Sequence, residues 1–266
     1  MTPVVPPATD LVLDLLTAAD GSRLSVQDLC RAGAVLDVGE GQMRVALTRL
    51  VQQRKLCKAE RGLYGFHPAY QPMAEDVMGW LGRMSWMTPW AGNWVAVVDP
   101  KISTTDRTRL RRHRRALSLR GFRTWRPGFH LRPANLAGGA ESLRLQLPQL
   151  GLADGAEVVG VEQLDAVQYA EVQGLWAIDA LRANYHRLLQ ALLESERRLD
   201  QHELEAAARE SLLVGRAVIA EIMHDPLLPP ELTGGGEFSQ LVEQTRLYQE
   251  RGRRIWGRLL AGETVR

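Results

Sequence analysis

The stretch that most constrains this chain runs from Gly39 to Phe66, GEGQMRVALTRLVQQRKLCKAERGLYGF. Stepping about 100° per residue from Met43 gathers Met43, Ala46, Leu47, Leu50 and Val51 on one side, the signature of an amphipathic helix whose apolar face must pack inward. The opposite side offers Gln42, Val45, Thr48, Arg49 and Gln52, with Arg44 on the flank. Lys55-Leu56-Cys57-Lys58-Ala59 then alternates polar and apolar, Glu60-Arg61-Gly62 supplies a turn, and Leu63-Tyr64-Gly65-Phe66 returns. A helix that runs straight into a tight hairpin leaves few architectures open.

Upstream, Ser25 is a good N-cap for Val26-Gln27-Asp28-Leu29-Cys30, with Asp28 at the third helical position. Earlier still, Leu11, Leu15, Leu16 and Ala19 repeat at helical spacing, with Thr9 or Asp10 as the expected cap. Three helices followed by a hairpin predict a winged helix-turn-helix. Alone, a helix with two arginines on its polar side reads as merely solvated; in tandem with a preceding helix and a wing it reads as a DNA-binding element. The second helix of such a pair enters the major groove while basic side chains hold phosphates. The expected DNA contacts are Gln42, Arg44, Thr48, Arg49 and Gln52 in the groove, Ser25 and Gln27 at the start of the preceding helix, and Lys58 and Arg61 on the wing.

At 266 residues the chain is too long for one winged helix. Its charge is segregated. Residues 1–70 carry 8 basic and 7 acidic groups, residues 71–133 carry 12 and 4, and residues 134–266 carry 13 and 20. A net charge of +2 therefore hides a basic middle and an acidic end, and a near-neutral total does not argue against an anionic partner. The start, MTPVVPPATD, has neither a basic flank nor an apolar core segment, and nowhere do about 18 apolar residues run together. The expectation is a soluble, cytoplasmic protein without membrane contact. Cys30 and Cys57 have no metal-binding spacing and read as reduced core residues.

Beyond the wing, His67-Pro68 to Pro72 closes a first domain, expected over residues 1–70. Trp94 to Val98 reads as a buried strand ended by Asp99-Pro100. Thr105 or Asp106 caps RTRLRRHRRALSLR, which Gly121 stops. Phe122–Arg126 and Phe129–Arg132 form a strand pair across Pro127-Gly128, a helix fits Glu141–Leu150, and Ala156–Val161 is a further strand. The order βαββαβ predicts a ferredoxin-like domain over residues 71–165. Helices over Leu175–Leu199, Glu203–His224 and Phe238–Leu260 predict a helical domain over residues 166–266. The fold class expected is α+β.

Several separated motifs resemble the PaaX family of bacterial transcriptional repressors, which govern phenylacetic acid and related aromatic-degradation operons. They are Gln42 to Val51, Arg61-Gly62-Leu63-Tyr64, Trp94 to Asp99, Arg107 to Leu117, Gly121-Phe122, Arg126-Pro127-Gly128, Leu175-Trp176, Tyr185 and Asp225-Pro226-Leu227-Leu228-Pro229 with Leu232. The resemblance spans nearly the whole chain. It implies a homodimeric, non-enzymatic repressor of palindromic operator DNA, with a middle domain like the Cas2 ferredoxin-like fold, released by a small-molecule effector, an aryl-CoA thioester such as phenylacetyl-CoA. No cofactor, no metal and no catalytic residue is expected. The chain departs from the family where Thr233-Gly234-Gly235-Gly236 follows Leu232, a place that tends to hold tryptophan, and this bears on which effector is bound.

Arg107, Arg109, Arg111, Arg112, Arg114 and Arg115 crowd one helix. They suit phosphates of DNA or CoA, or salt bridges to the acidic end of the chain. Leu110 and Leu117 share the inward face with Arg107 and Arg114 on a helical wheel, so those two are expected to be partly shielded. Candidate effector contacts are Arg107, Arg111, Arg114, Trp94, Trp125, Trp176 and His130, although tryptophans are more often core. A free aromatic acid is an alternative effector. A different class of reading places a metal-dependent, Cas2-like nuclease at Asp99. No hydrolase, zinc-protease or nucleotide-loop motif is present, and His224-Asp225 lacks further metal ligands.

Overall fold

The structure is a computed structural model of the chain and describes residues 5–19, 23–59, 62–71, 79–101 and 106–262. It is a mixed α+β fold with two small antiparallel sheets and a largely helical C-terminal region. Contacts divide it into two compact units. Unit 1 comprises Met1–Leu81, Arg187–Ala220 and Leu241–Arg266, and unit 2 comprises Gly82–His186 and Glu221–Gln240. Residues 166–266, expected as a separate helical domain, thus contribute to both units and do not cluster as one of their own.

Unit 1 begins with helices α1 (Ala8–Ala18), α2 (Val26–Val35) and α3 (Glu40–Gln52) and strands β1 (Leu24–Ser25), β2 (Leu56–Lys58) and β3 (Leu63–Phe66). The sheet order is β1-β3-β2, antiparallel throughout. Ser25 caps α2 as expected, accepting from the Asp28 amide at 3.0 Å while Asp28 returns a bond to Ser25. The cap of α1 differs from expectation. Pro7 occupies that position without a side-chain cap bond, since the helix already begins at Ala8 and places Thr9 and Asp10 inside its first turn. On α3 the side chains of Met43, Ala46, Leu47 and Leu50 are buried, and Val51 is half-buried. They join Leu11, Leu15, Leu16, Leu29 and Leu36 in a single core.

That core is completed from the far end of the chain. Helices α7 (Ile178–Leu199), α8 (Leu204–His224) and α10 (Glu237–Leu260) supply unit 1 through their segments in 187–220 and 241–260. Ala208, Leu212, Leu213, Trp256 and Leu259 pack into the same cluster as α1 to α3. Polar ties follow the apolar ones. Arg31 donates to the Leu259 and Leu260 carbonyls at the C-terminus of α10, at 3.3 and 3.2 Å, where a cation also complements the helix dipole. Arg209 donates to Val35 O and Asp37, and Arg216 to Asp14. Cys30 and Cys57 are half-buried free thiols.

Unit 2 holds a sheet of order β5-β6-β4-β7, formed by β4 (Trp94–Val98), β5 (Arg123–Arg126), β6 (Phe129–Pro133) and β7 (Glu157–Val161). All three pairings are antiparallel. The apolar run of β4 reflects burial on both faces. Val95 and Val97 meet Ala116 and Leu117 of α4 (Arg107–Leu119) and Leu143 and Leu147 of α5 (Gly139–Leu150). Trp94 and Ala96 meet Val172 of α6 (Ala166–Gln173), Trp176 and Leu228. The short helices α6 and α9 (Pro230–Thr233) and the two-residue β1 carry too little periodicity to stand out in the sequence.

The connector after α8 anchors this unit. Asp225 accepts from Tyr185 Oη at 2.5 Å and from the Leu227 amide at 2.7 Å. Gly121 lies against it with φ +74, and a Cβ there would fall 2.4 Å from Pro226 O. Gly121→Ala combines a left-handed backbone with that overlap, so it should destabilise unit 2 by about 2–4 kcal/mol, read as a lowered midpoint in denaturant. Burial lifts Asp225 from 3.8 to about 6, against the opposing bonds from Tyr185 and Leu227 and the charge of Arg83. The folded protein therefore binds this proton more tightly than the unfolded chain does, and stability falls as pH rises from about 4 to 6. Asp225→Asn, which keeps an acceptor for Leu227, should make that fall shallower when denaturation midpoints are compared across the window.

Candidate functional site

The exposed face of α3 is the candidate site. Gln42, Arg44, Val45, Thr48, Arg49 and Gln52 are all exposed there, and Val45 retains 69% of its surface. The helix is oriented by its buried stripe. Met43 packs so closely on α2 that a Cβ at Gly33 would lie 2.7 Å from Met43 Cγ, which makes a small residue at position 33 a condition of the α2–α3 approach.

Three of the polar side chains already have local partners. Gln42 Oε1 accepts from the Gly39 amide at 3.1 Å, standing in for a helix cap. Arg44 forks onto Glu40 Oε1 at 2.8 and 2.6 Å, and Thr48 Oγ1 donates to the Arg44 carbonyl at 3.0 Å. Arg49 and Gln52 project without a partner among the described residues. Ser25 is occupied by its capping box, whereas Gln27 and Lys58 are exposed. Arg61 lies outside the described residues.

The residues expected to bind an effector are not brought together. Arg107, Arg111 and Arg114 are all exposed on α4, whose inward stripe is His113, Ala116 and Leu117 with Leu110 half-buried. The expected shielding of Arg107 and Arg114 fails for two reasons. Arg107 occupies the open first turn, and the stripe follows the 110-113-117 line, which turns Arg114 outward. Trp94 and Trp176 lie on the opposite face of the sheet, buried and stacked with centroids 6.2 Å apart. Trp176 donates to Gly121 O at 3.1 Å. Trp125 is half-buried and donates to Glu171 at 3.0 Å, beside an Arg126–Glu171 pair of 2.7 Å.

His130 belongs to a constellation that reading of single motifs did not assemble. Asp99 Oδ1 lies 2.8 Å from His113 Nε2 and 2.9 Å from His130 Nε2, and the three groups could in principle hold a metal ion. The outer bonds argue otherwise. The Ala153 amide donates to His113 Nδ1 at 3.1 Å, which makes Nδ1 the acceptor and puts the ring's proton on Nε2, facing Asp99. A metal ligand needs a lone pair at that nitrogen and ordinarily donates from the other one. His130 Nδ1 meets Thr124 Oγ1 at 2.9 Å, and its Nε2 approaches Asp99 without the direction of a good hydrogen bond. Asp99 thus ties the end of β4 to α4 through His113, while His130 of β6 is tied to β5 through Thr124. The signal was available in the sequence only as three residues far apart, since pairing of Val97 with His130 is a matter of register.

No protein-family model matches the chain, and no curated protein matches it. Among solved structures, an uncharacterized protein of Mycobacterium tuberculosis, Rv0674, is similar over 96% of this chain and 97% of its own, with a TM-score of 0.68 and 21% identity. At that identity the likeness establishes a shared fold. No helix among the described residues is long and apolar enough to cross a membrane.

If Asp99 serves as an internal hydrogen-bond acceptor, millimolar magnesium or manganese should leave the thermal midpoint where chelator leaves it. A rise of several degrees, as expected of a specifically bound ligand, would overturn this assignment.

Proposed function

We propose that the chain is a sequence-specific DNA-binding transcriptional repressor whose N-terminal part is a winged helix-turn-helix. The observation that carries the reading is the exposed face of α3, a row of hydrogen-bonding side chains around Val45 on a helix whose other face is fixed by the core. The order α1-β1-α2-α3-β2-β3, with β3 pairing both β1 and β2, suits a recognition helix followed by a wing. In this reading α3 lies in the major groove, Gln27 approaches the phosphates, and Lys58 and Arg61 are assigned to the flanking backbone or the minor groove. The strand order of unit 2 is compatible with the ferredoxin-like domain of the PaaX family.

The remainder of the proposal rests on the family resemblance. The repressor binds as a homodimer to half-sites spaced by about one helical turn or a multiple. It controls aromatic catabolism, and an aryl-CoA thioester releases it. The Asp99 nuclease reading is disfavoured by His113, whose Nδ1 accepts from the Ala153 amide and whose Nε2 therefore faces Asp99 with a proton rather than with a metal-binding lone pair.

Fluorescence anisotropy on DNA from upstream of the protein's own operon, at fixed salt, tests the reading. Arg49→Ala should weaken binding about tenfold, the cost of one good polar contact. If Arg49 holds a phosphate, the slope of log affinity against log salt should also flatten by about 0.9. Phenylacetyl-CoA should reverse binding where CoA alone does not. Equal affinity for operator and random DNA in the wild type would refute the repressor.

A further inference from the structure

Val45 is the anomaly of the exposed α3 face. It is a β-branched hydrophobe with 69% of its surface open, and every neighbour on the outer surface of the helix is polar or glycine. Gln42 lies one turn before it, Thr48 and Arg49 one turn after, and Gly41 on its flank. Nothing in the core needs it there, since Met43, Ala46, Leu47 and Leu50 complete the buried stripe. A polar residue at 45 would be better solvated and a better helix former.

Thr48 adds a second observation. Its hydroxyl donates to the Arg44 carbonyl at 3.0 Å, at the long end of the range for such a bond. The hydroxyl proton is therefore engaged within the helix, and the methyl is the apolar part of an exposed side chain. Residues 45 and 48 stand three apart and are neighbours on the helix surface. The centre of an otherwise hydrogen-bonding face thus carries a small apolar strip. The major groove presents one apolar feature to such a strip, the C5-methyl group of thymine.

We infer that Val45, together with the methyl of Thr48, is a specificity determinant that reads thymine methyl groups in the operator half-site. This rests on the DNA-binding reading above and adds to it the chemistry of the base recognised. Alternation of roles along α3 follows. Arg49 and Gln52 supply polar contacts, and Val45 supplies a contact that discriminates thymine from cytosine and from uracil by shape and hydrophobicity alone.

The test exchanges thymine for deoxyuridine, which deletes the methyl and leaves all hydrogen-bonding edges intact. Operator duplexes with single replacements are titrated against wild type and Val45→Ala, with circular dichroism confirming that the exposed substitution leaves the fold unchanged. Wild type should lose about fourfold in affinity at one or two positions, the worth of one buried methyl. Val45→Ala should bind the thymine operator more weakly by a similar factor and show a clearly smaller uridine penalty at those same positions, while keeping its preference for operator over random DNA. Wild-type binding that prefers the operator yet ignores every thymine-to-uridine exchange would overturn the inference and leave the repressor reading standing. So would an uridine penalty of the same size in Val45→Ala. Loss of operator preference in the wild type itself would overturn both.

Discussion

Unit 2 depends on a buried cation. Arg132 sits in β6 with 1% of its surface exposed, and burial, with Arg120 and Arg83 nearby, pulls its pKa down from 12.5 to about 9. A charge in such a place is tolerable only if its donors are matched. They are matched by carbonyls and an amide: Pro133 O at 3.0 Å, Arg120 O, Asn135 Oδ1 at 2.9 Å and Leu227 O at 3.5 Å. Asn135 then donates to the same Leu227 carbonyl at 2.8 Å. The guanidinium fork is what lets one side chain reach four acceptors. It fixes the end of α4, the exit of β6 and the connector after α8 in a single arrangement.

The connector's conformation follows from this demand. Leu227 has φ +52, an unfavourable value for a branched aliphatic residue. The carbonyl it presents is the one shared by Arg132 and Asn135, and its amide is held by Asp225. Gly121 is a glycine because Pro226 leaves no room for a Cβ. The polar bonds and the close backbone approach are therefore one device, and the hydrophobic layers on both faces of β4 are closed around it.

How much of this was legible in the sequence depended on the distance over which its cause acts. The α3 stripe, the Ser25–Asp28 box and the bounds of β4 were readable because helical and strand periods, and capping, are local. The apportioning of the C-terminal helices between the two units was not, because Trp256 and Leu213 belong to the core of α1–α3 by contacts across some two hundred residues. The orientation of α4 was misjudged for a subtler reason. With arginine at six of its positions the apolar signal is weak, and His113 had to be recognised as an inward residue before the stripe could be placed. His113 faces inward because Asp99 and Ala153 satisfy it on both sides, and neither partner is close in sequence.

The same contrast between engaged and unengaged groups bears on how α3 would act in the proposed DNA complex. Arg44 and Thr48 hold local partners in the free protein, and Gln42 closes the helix start. In the proposed DNA complex such a group would exchange one hydrogen bond for another, and an exposed ion pair such as Arg44–Glu40 would have to open first. The net gain from these side chains would be correspondingly small, although their geometry would still penalise a wrong base. Arg49, Gln52 and Val45 have no such bond to give up. For Val45 the gain would come from removing apolar surface from water, available only where a methyl group met it. A recognition face built in this way would draw much of its affinity from phosphates and its sharpest discrimination from the least polar residue on it.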